Sequence, residues 1–453
     1  PLAFVAHMEG NMVDLLIQNT TVIDPSDTGL DVLYGYDVAI TGQHIVDVQP
    51  TGKWGADAAR ERIDGGELVT LPGLINSHAH SAMTLFRGSA EDVPIDVWFN
   101  DYIWAMESHL TPEDIYWGTL LAAVESIESG VTTIADHYFG TDQVAEAFAA
   151  SGLRGELAWT MFGQDPSIEL NAAGEFAARW HGAAEGRIRT WFGPHAPYTC
   201  PAPFLREVAS EAQRLGLRCH IHVSETAEQV RASIGQHGVT PIRLLEQVGL
   251  MNGPLLCAHA THATPEDVKL LAEHNVGVAH CPKTFLKLAE GIAPITAMLE
   301  AGVPVGLGSD GAASNNTLDI LEQTRLTALM QKHTQQDARK LPAGLALSLS
   351  SLGGARALGR AEELGRLATG FLADVTLVRL DGAHMQPLHD LVAALVYSAR
   401  ASDVDTVMVN GRVLMRQRQL LTLDKPTIVR EVAARAKRLR ESGDERRIHL
   451  YGG

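Results

Sequence analysis

The stretch "LPGLINSHAHSAMTLFRG", residues 71–88, places His78 and His80 one residue apart at the end of an apolar run. The run reads as a buried strand, and alternate strand residues point to the same side. Both imidazoles therefore face one way at the strand's carboxyl end, an arrangement that suits a metal ion. A lone histidine on an apolar strand is usually a satisfied core group, so the pair needs further donors before it means anything.

Those donors depend on what surrounds the strand. Seven more short apolar runs follow at 131–138, 154–161, 187–195, 217–225, 254–260, 276–282 and 304–310. Together with 68–80 they make eight. Helix signatures lie between them. "TPEDIYWGTLLAAVESIESG" has Thr111 as N-cap, Pro112 at the first helical position and Glu113 and Asp114 in the first turn. Leu120, Val124 and Ile127 form its buried stripe. The same start recurs at Thr264 and Pro265. Strands alternating with helices mean a parallel sheet, and eight of them predict an α/β fold of the closed (β/α)8 TIM-barrel kind over residues 67–365. Barrel active sites lie at the carboxyl ends of the strands.

The two ends of the chain read differently. Residues 12–66 and 366–425 are β-rich with turn residues between short strands, and predict one small β-sandwich built from both termini. Residues 426–453 read as a charged helix and tail. Residues before Met12 are left out of the fold reading; the start is too short and too poor in basic flanks for a signal peptide.

Composition bounds the function. The chain has 453 residues, of which 36 are Lys or Arg and 54 Asp or Glu, for a net charge of −18. No basic track suits a nucleic acid. No apolar run is long enough for a membrane span. Cys200, Cys219, Cys257 and Cys281 form no C-x-x-C pair and read as reduced, buried thiols, which fits a cytoplasmic protein. The expected partner is a small-molecule substrate, and a homo-oligomer is expected.

"CHIHVSE" supplies a second histidine pair, His220 and His222, and "GLGSDGAASNN" ends the eighth strand with Asp310. Three histidines and one aspartate make a sensible shell for Zn²⁺ with one position left for water. His220 points the same way as His222 but deeper, and reads as a supporting group. No lysine occurs between Lys53 and Lys269, so a lysine bridging two metals on the fourth strand is impossible and one metal is favoured.

With these motifs on the page, the chain resembles the amidohydrolase superfamily, and within it the purine-deaminase branch. "PGLINSHAHSAMTLFRG", "GVTTIADHYF", "FGPHAPYTC", "HIHVSET", "AHATHATPEDV", "VAHCPKTFLKLAEGIAPI", "GLGSDGAASNN" and "FLADVTLV" carry the likeness over nearly the whole chain. The resemblance implies one Zn²⁺ per chain, with Fe²⁺ or Mn²⁺ as substitutes, held by His78, His80, His222 and Asp310. It implies that Asp310 also takes a proton from the attacking water, that Glu225 shuttles it to a ring nitrogen and that His259 orients the nucleophile. It assigns His195 to substrate binding and Glu107 to the ribose hydroxyls. On residue type alone, Glu225 reads equally as a solvated carboxylate and Glu107 as a helix-end acid. Trp98 is a packing residue or a wall of a purine pocket. Asp136 and His137 stay unassigned.

Two departures stand out. The family usually reads His-x-Pro-x-Ser-Asn-Leu-Lys-Leu after the seventh strand; here "HCPKTFLKL" puts Thr284 and Phe285 at the Ser-Asn positions, which makes Phe285 a candidate substrate contact. Relatives that accept an amino-acid tail can offer it an arginine in the loop after the third strand, but 158–170 contains no Arg or Lys. The implied activity is hydrolytic deamination of an adenine nucleoside such as 5′-methylthioadenosine, S-adenosylhomocysteine or adenosine. The alternatives are a deaminase or chlorohydrolase of a triazine, pterin or guanine, and a metal-free binding protein on the same scaffold.

Overall fold

The computed structural model describes residues 12–442; residues 1–11 and the end of the charged tail, 443–453, lie outside the described residues. Eight parallel strands run in sequence order around one sheet: β1 (Leu74–His80), β2 (Val131–Tyr138), β3 (Arg154–Met161), β4 (Ile188–Pro194), β5 (Arg218–Val223), β6 (Leu255–His259), β7 (Gly277–His280) and β8 (Val305–Leu307). Just past β8 the chain pairs back onto β1 through Asp310 with Ala79 and Gly311 with His80. This closes the barrel and carries Asp310 to the end of the strand that bears both opening histidines.

The apolar run at 68–80 proves to be two strands. Leu68–Pro72 belongs to a second sheet, and only Leu74–His80 enters the barrel. The break is at Gly73, where a Cβ would come within 2.2 Å of the Thr132 hydroxyl. No larger side chain fits that crossing.

The second sheet has nine strands from both ends of the chain. Val375–Arg379 pairs antiparallel with Leu68–Pro72 and so joins the two termini. The expected sandwich is thus one continuous sheet. It bends back far enough for Ile45 N–H to reach the Phe371 carbonyl at 2.9 Å, over a core that includes Leu15, Ile17, Val38, Val375 and Leu377. The 366–425 region also contains a short helix, Leu391–Tyr397, whose seven residues are too few to show a helical period.

The helix starts read from sequence hold. Pro112–Glu128 opens with a reciprocal capping box between Thr111 and Asp114, and Leu120, Val124 and Ile127 are buried. Pro265–Glu273 opens the same way through Thr264 and Asp267. The charged helix spans Lys425–Ser442. All four cysteines are buried as free thiols. No described helix is long and apolar enough to cross a membrane.

Candidate active site

β1, β5 and the turn after β8 bring His78, His80, His222 and Asp310 together at the carboxyl ends of the strands. His80 Nε2 lies 3.2 Å and His78 Nε2 3.5 Å from Asp310 Oδ1. His222 Nε2 lies 3.4 Å from His80 Nε2. The outer nitrogens are committed elsewhere. His80 Nδ1–H donates to the His137 carbonyl at 2.6 Å, and His222 Nδ1–H donates to the His195 carbonyl at 2.8 Å. A carbonyl only accepts, so both rings carry their proton on Nδ1 and turn a bare Nε2 inward.

Lone pairs aimed at one another are unfavourable unless a positive charge sits among them. Burial disfavours charge on His80, yet the Asp310 carboxylate outweighs it and pushes the His80 pKa up to about 9. Burial opposes ionisation of Asp310 too, but the His78 and His80 imidazoles hold its carboxyl well below the usual range. A proton on His80 satisfies one contact; a metal ion satisfies every donor. His78 Nε2 is buried with no hydrogen-bond partner, as expected of a ligand nitrogen. The potential donor atoms of His78, His80 and His222 lie within 4.8 Å of one another, and so do those of His78, His259 and Asp310. The residues fit a metal.

His80, His222, His259 and Asp310 line a cleft of about 730 Å³, counting the space open to solvent, and His78 lies buried beneath them. Glu225, just past β5, is mostly buried against His259, its side chain 12% exposed, with Oε1 3.7 Å from His259 Nε2. Burial is the main reason that its pKa rises to about 7, against the opposing bond from Gln229. His259 and Asp310 both hold left-handed backbone conformations, with φ of 76° and 60°. A non-glycine residue there is strained, and such strain gathers at functional sites.

The far wall holds the remaining candidates. Trp98, Glu107 and His195 all line the cleft. Glu107 is 5% exposed and accepts a 2.5 Å hydrogen bond from the Tyr138 hydroxyl. Burial pushes its pKa up to about 7, with Tyr138 opposing. His195 shares a 2.9 Å bond with Thr199, and burial lowers its pKa to about 3. Phe285 lies elsewhere: it is 2% exposed and outside the cleft wall, its ring edge-on to His259 at 4.8 Å. Thr284 takes the wall position and bonds Ser314, which in turn donates to Asp310 Oδ2 at 3.1 Å.

Tyr138 and Ser314 are among the site residues that the sequence did not single out, and His137 is one that it left without a role. Strand alternation gives no direction for Tyr138, the last residue of β2, and Ser314 sits in a short helix without period. His137 lines the cleft. Burial holds both His137 and His220 well below the usual imidazole range, so both are neutral. Of the other histidines, His262 Nε2–H donates to the Glu290 carbonyl at 2.6 Å, and His274 Nδ1–H donates to the Met251 carbonyl at 3.2 Å. Both act as structural groups.

The amidohydrolase family model matches residues 69–414. The chain is 47% identical over 431 residues to a 5-methylthioadenosine/S-adenosylhomocysteine deaminase of Desulforudis audaxviator, covering 94% of this chain and 99% of that one. It is 44% identical to the protein of the same name from Pelotomaculum thermopropionicum, over 94% and 99% of the two chains. Among solved structures it is similar to a zinc-bound adenosine deaminase of Xanthomonas campestris, with TM-score 0.91, 34% identity and coverage of 95% and 99%. It is also similar to a zinc-complexed atrazine chlorohydrolase of Arthrobacter aurescens, with TM-score 0.87, 27% identity and coverage of 93% and 100%. With the family model matching residues 69–414 and relatives 44–47% identical over 94% of the chain, the chain belongs to the amidohydrolase family.

Proposed function

We propose that the protein is a zinc-dependent hydrolytic deaminase of adenine nucleosides, favouring a small apolar 5′ group such as that of 5′-methylthioadenosine. One observation carries the reading: a single cleft joins a four-donor metal site, a carboxyl poised near neutrality at Glu225 and a second buried carboxyl at Glu107. The names of the relatives support it. On this reading residues 67–365, less the Leu68–Pro72 strand, are the catalytic barrel, and that strand with 12–66 and 366–425 makes its supporting sheet.

His78, His80, His222 and Asp310 would hold the ion. When bound, the metal supplies Lewis acidity that lets water ionise near neutral pH. Asp310 takes the proton lost by the water. His259, fixed against Phe285, orients the attacking oxygen toward C6 of the adenine. Attack interrupts the ring's aromaticity, so N1 must gain a proton, and Glu225 delivers it. A carboxyl with a pKa near the working pH can both take and give a proton. Collapse returns the new hydroxyl's proton to Glu225 while Asp310 passes its proton to the departing amine, so that ammonia leaves, one water is consumed and the inosine analogue is formed.

Glu107 would accept hydrogen bonds from the two ribose hydroxyls. Beyond it, Ile95, Trp98, Phe99, Trp104 and Leu288 make an apolar surround, and no Lys or Arg lines the cleft. A carboxylate tail such as that of S-adenosylhomocysteine would find no counter-charge there. The likeness to a chlorohydrolase keeps a triazine reading in view, and one assay separates the two. Ammonia or chloride release is measured from 5′-methylthioadenosine, adenosine, S-adenosylhomocysteine, guanine and chlorotriazines. The reading expects ammonia from the first two at the highest kcat/KM; chloride release with no nucleoside turnover would overturn it.

A further inference from the structure

His78 is held differently from its two neighbours. His80 and His222 donate to carbonyls, which fixes their tautomers. His78 Nδ1 instead lies 2.9 Å from His220 Nε2, and an imidazole nitrogen can give or take a proton. If His220 gave it, His78 would carry its own proton on Nε2 and its lone pair would be lost to the metal site. His220 must therefore keep its proton on Nδ1, and that N–H needs an acceptor.

His220 Nδ1 is buried with no hydrogen-bond partner, and so is His137 Nε2. The two rings meet edge to face, with centroids 5.1 Å apart at 83°. Gly193 of β4 adjoins them, one residue beyond the pairing of Phe192 with Cys219. A Cβ on Gly193 would lie 2.8 Å from the Trp159 carbonyl and 3.0 Å from His137 Nε2, so glycine keeps the space beside that nitrogen open. The other nitrogen of His137 is bonded to Thr160 Oγ1 at 3.0 Å. A neutral His137 that donates to Thr160 offers its Nε2 as an acceptor, which is what His220 lacks.

We propose that Thr160, His137 and His220 form a one-way hydrogen-bond column that keeps the proton of His78 on Nδ1 and its Nε2 lone pair on the metal. One water between His220 Nδ1–H and His137 Nε2 closes the column; buried waters typically join polar groups of this kind. His137 and His220 are positioning residues, acting through His78. The column concerns metal binding and does not depend on which substrate the cleft takes.

Two variants and one spectrum test it. Thr160→Val keeps the shape of the side chain and removes the acceptor at the far end; His137→Phe keeps a ring and removes the middle. Metal-stripped protein is titrated with Zn²⁺ against a chromophoric chelator. Loss of such an outer partner typically weakens metal binding about 10- to 100-fold, and both variants should fall in that range with the melting temperature of the metal-free protein unchanged. Long-range ¹H–¹⁵N spectra of the metal-free parent should show His78 and His220 protonated on Nδ1. Unchanged Zn²⁺ affinity in Thr160→Val overturns the column even if His137→Phe binds weakly, because that ring also packs on His222. A His78 proton on Nε2 in the metal-free parent overturns it as well.

Discussion

Two carboxyl groups in one cleft are driven in opposite directions. Asp310 sits among imidazoles and stays ionised; Glu225 has Gln229 for its hydrogen-bond partner and is raised to about 7. Such divergence separates the roles of acid and base. Glu225→Gln should therefore keep its metal and its substrate affinity while kcat falls about 10²- to 10⁴-fold, the usual worth of a positioned proton donor. Metal analysis beside steady-state kinetics checks this, and near-normal kcat would remove Glu225 from the mechanism. Glu107 makes a separate test. Charge-assisted bonds to two ribose hydroxyls are strong, so Glu107→Ala should sharply lower kcat/KM for adenosine-type substrates and much less for 2′,3′-dideoxy analogues. Equal losses on both would make Glu107 a support for its segment. At this scale the histidines that the structure gathers as candidate metal donors were legible because strand geometry forces residues two apart onto one side. Glu107 came into view only through the resemblance, since it ends a short helix, its partner Tyr138 comes from a distant strand and no local pattern announces the pair.

Elements decide which of two neighbouring residues meets the substrate. The short helix Pro282–Lys287 turns Thr284 into the cleft and Phe285 back onto His259. Sequence could place both beside the seventh strand's end but not choose between them, because six helical residues have no readable face. Phe285→Ala should leave zinc content unchanged and lower kcat more than it raises KM, since it loosens His259 and opens no new substrate contact. Measuring kcat and KM separately checks this; a shift in substrate preference at constant kcat would instead make Phe285 a substrate contact. The split of the 68–80 run had the same origin. Its apolar residues are continuous, and only the crossing partner Thr132 shows why Gly73 divides them.

Across the whole molecule, the barrel and the terminal sheet share one buried ion pair. Arg154 of β3, 1% exposed, donates to Asp374 at 2.8 and 3.0 Å and also to Asn410. The family-like pattern at each end was readable, but nothing local links residue 154 to residue 374. Removing one partner leaves a buried charge uncompensated, typically at about 3–5 kcal/mol. Arg154→Met should lose stability of that order in urea unfolding, and an unchanged midpoint would show that the two parts are held by apolar packing alone. All of this serves one chemical event, the exchange of an amine for a water oxygen at C6. Turnover of 5′-methylthioadenosine by the zinc-loaded protein in H₂¹⁸O reads that event directly. The account predicts one equivalent of ammonia and one ¹⁸O atom on C6 of the product's hypoxanthine. Release of free adenine, or no ¹⁸O on C6, would contradict it.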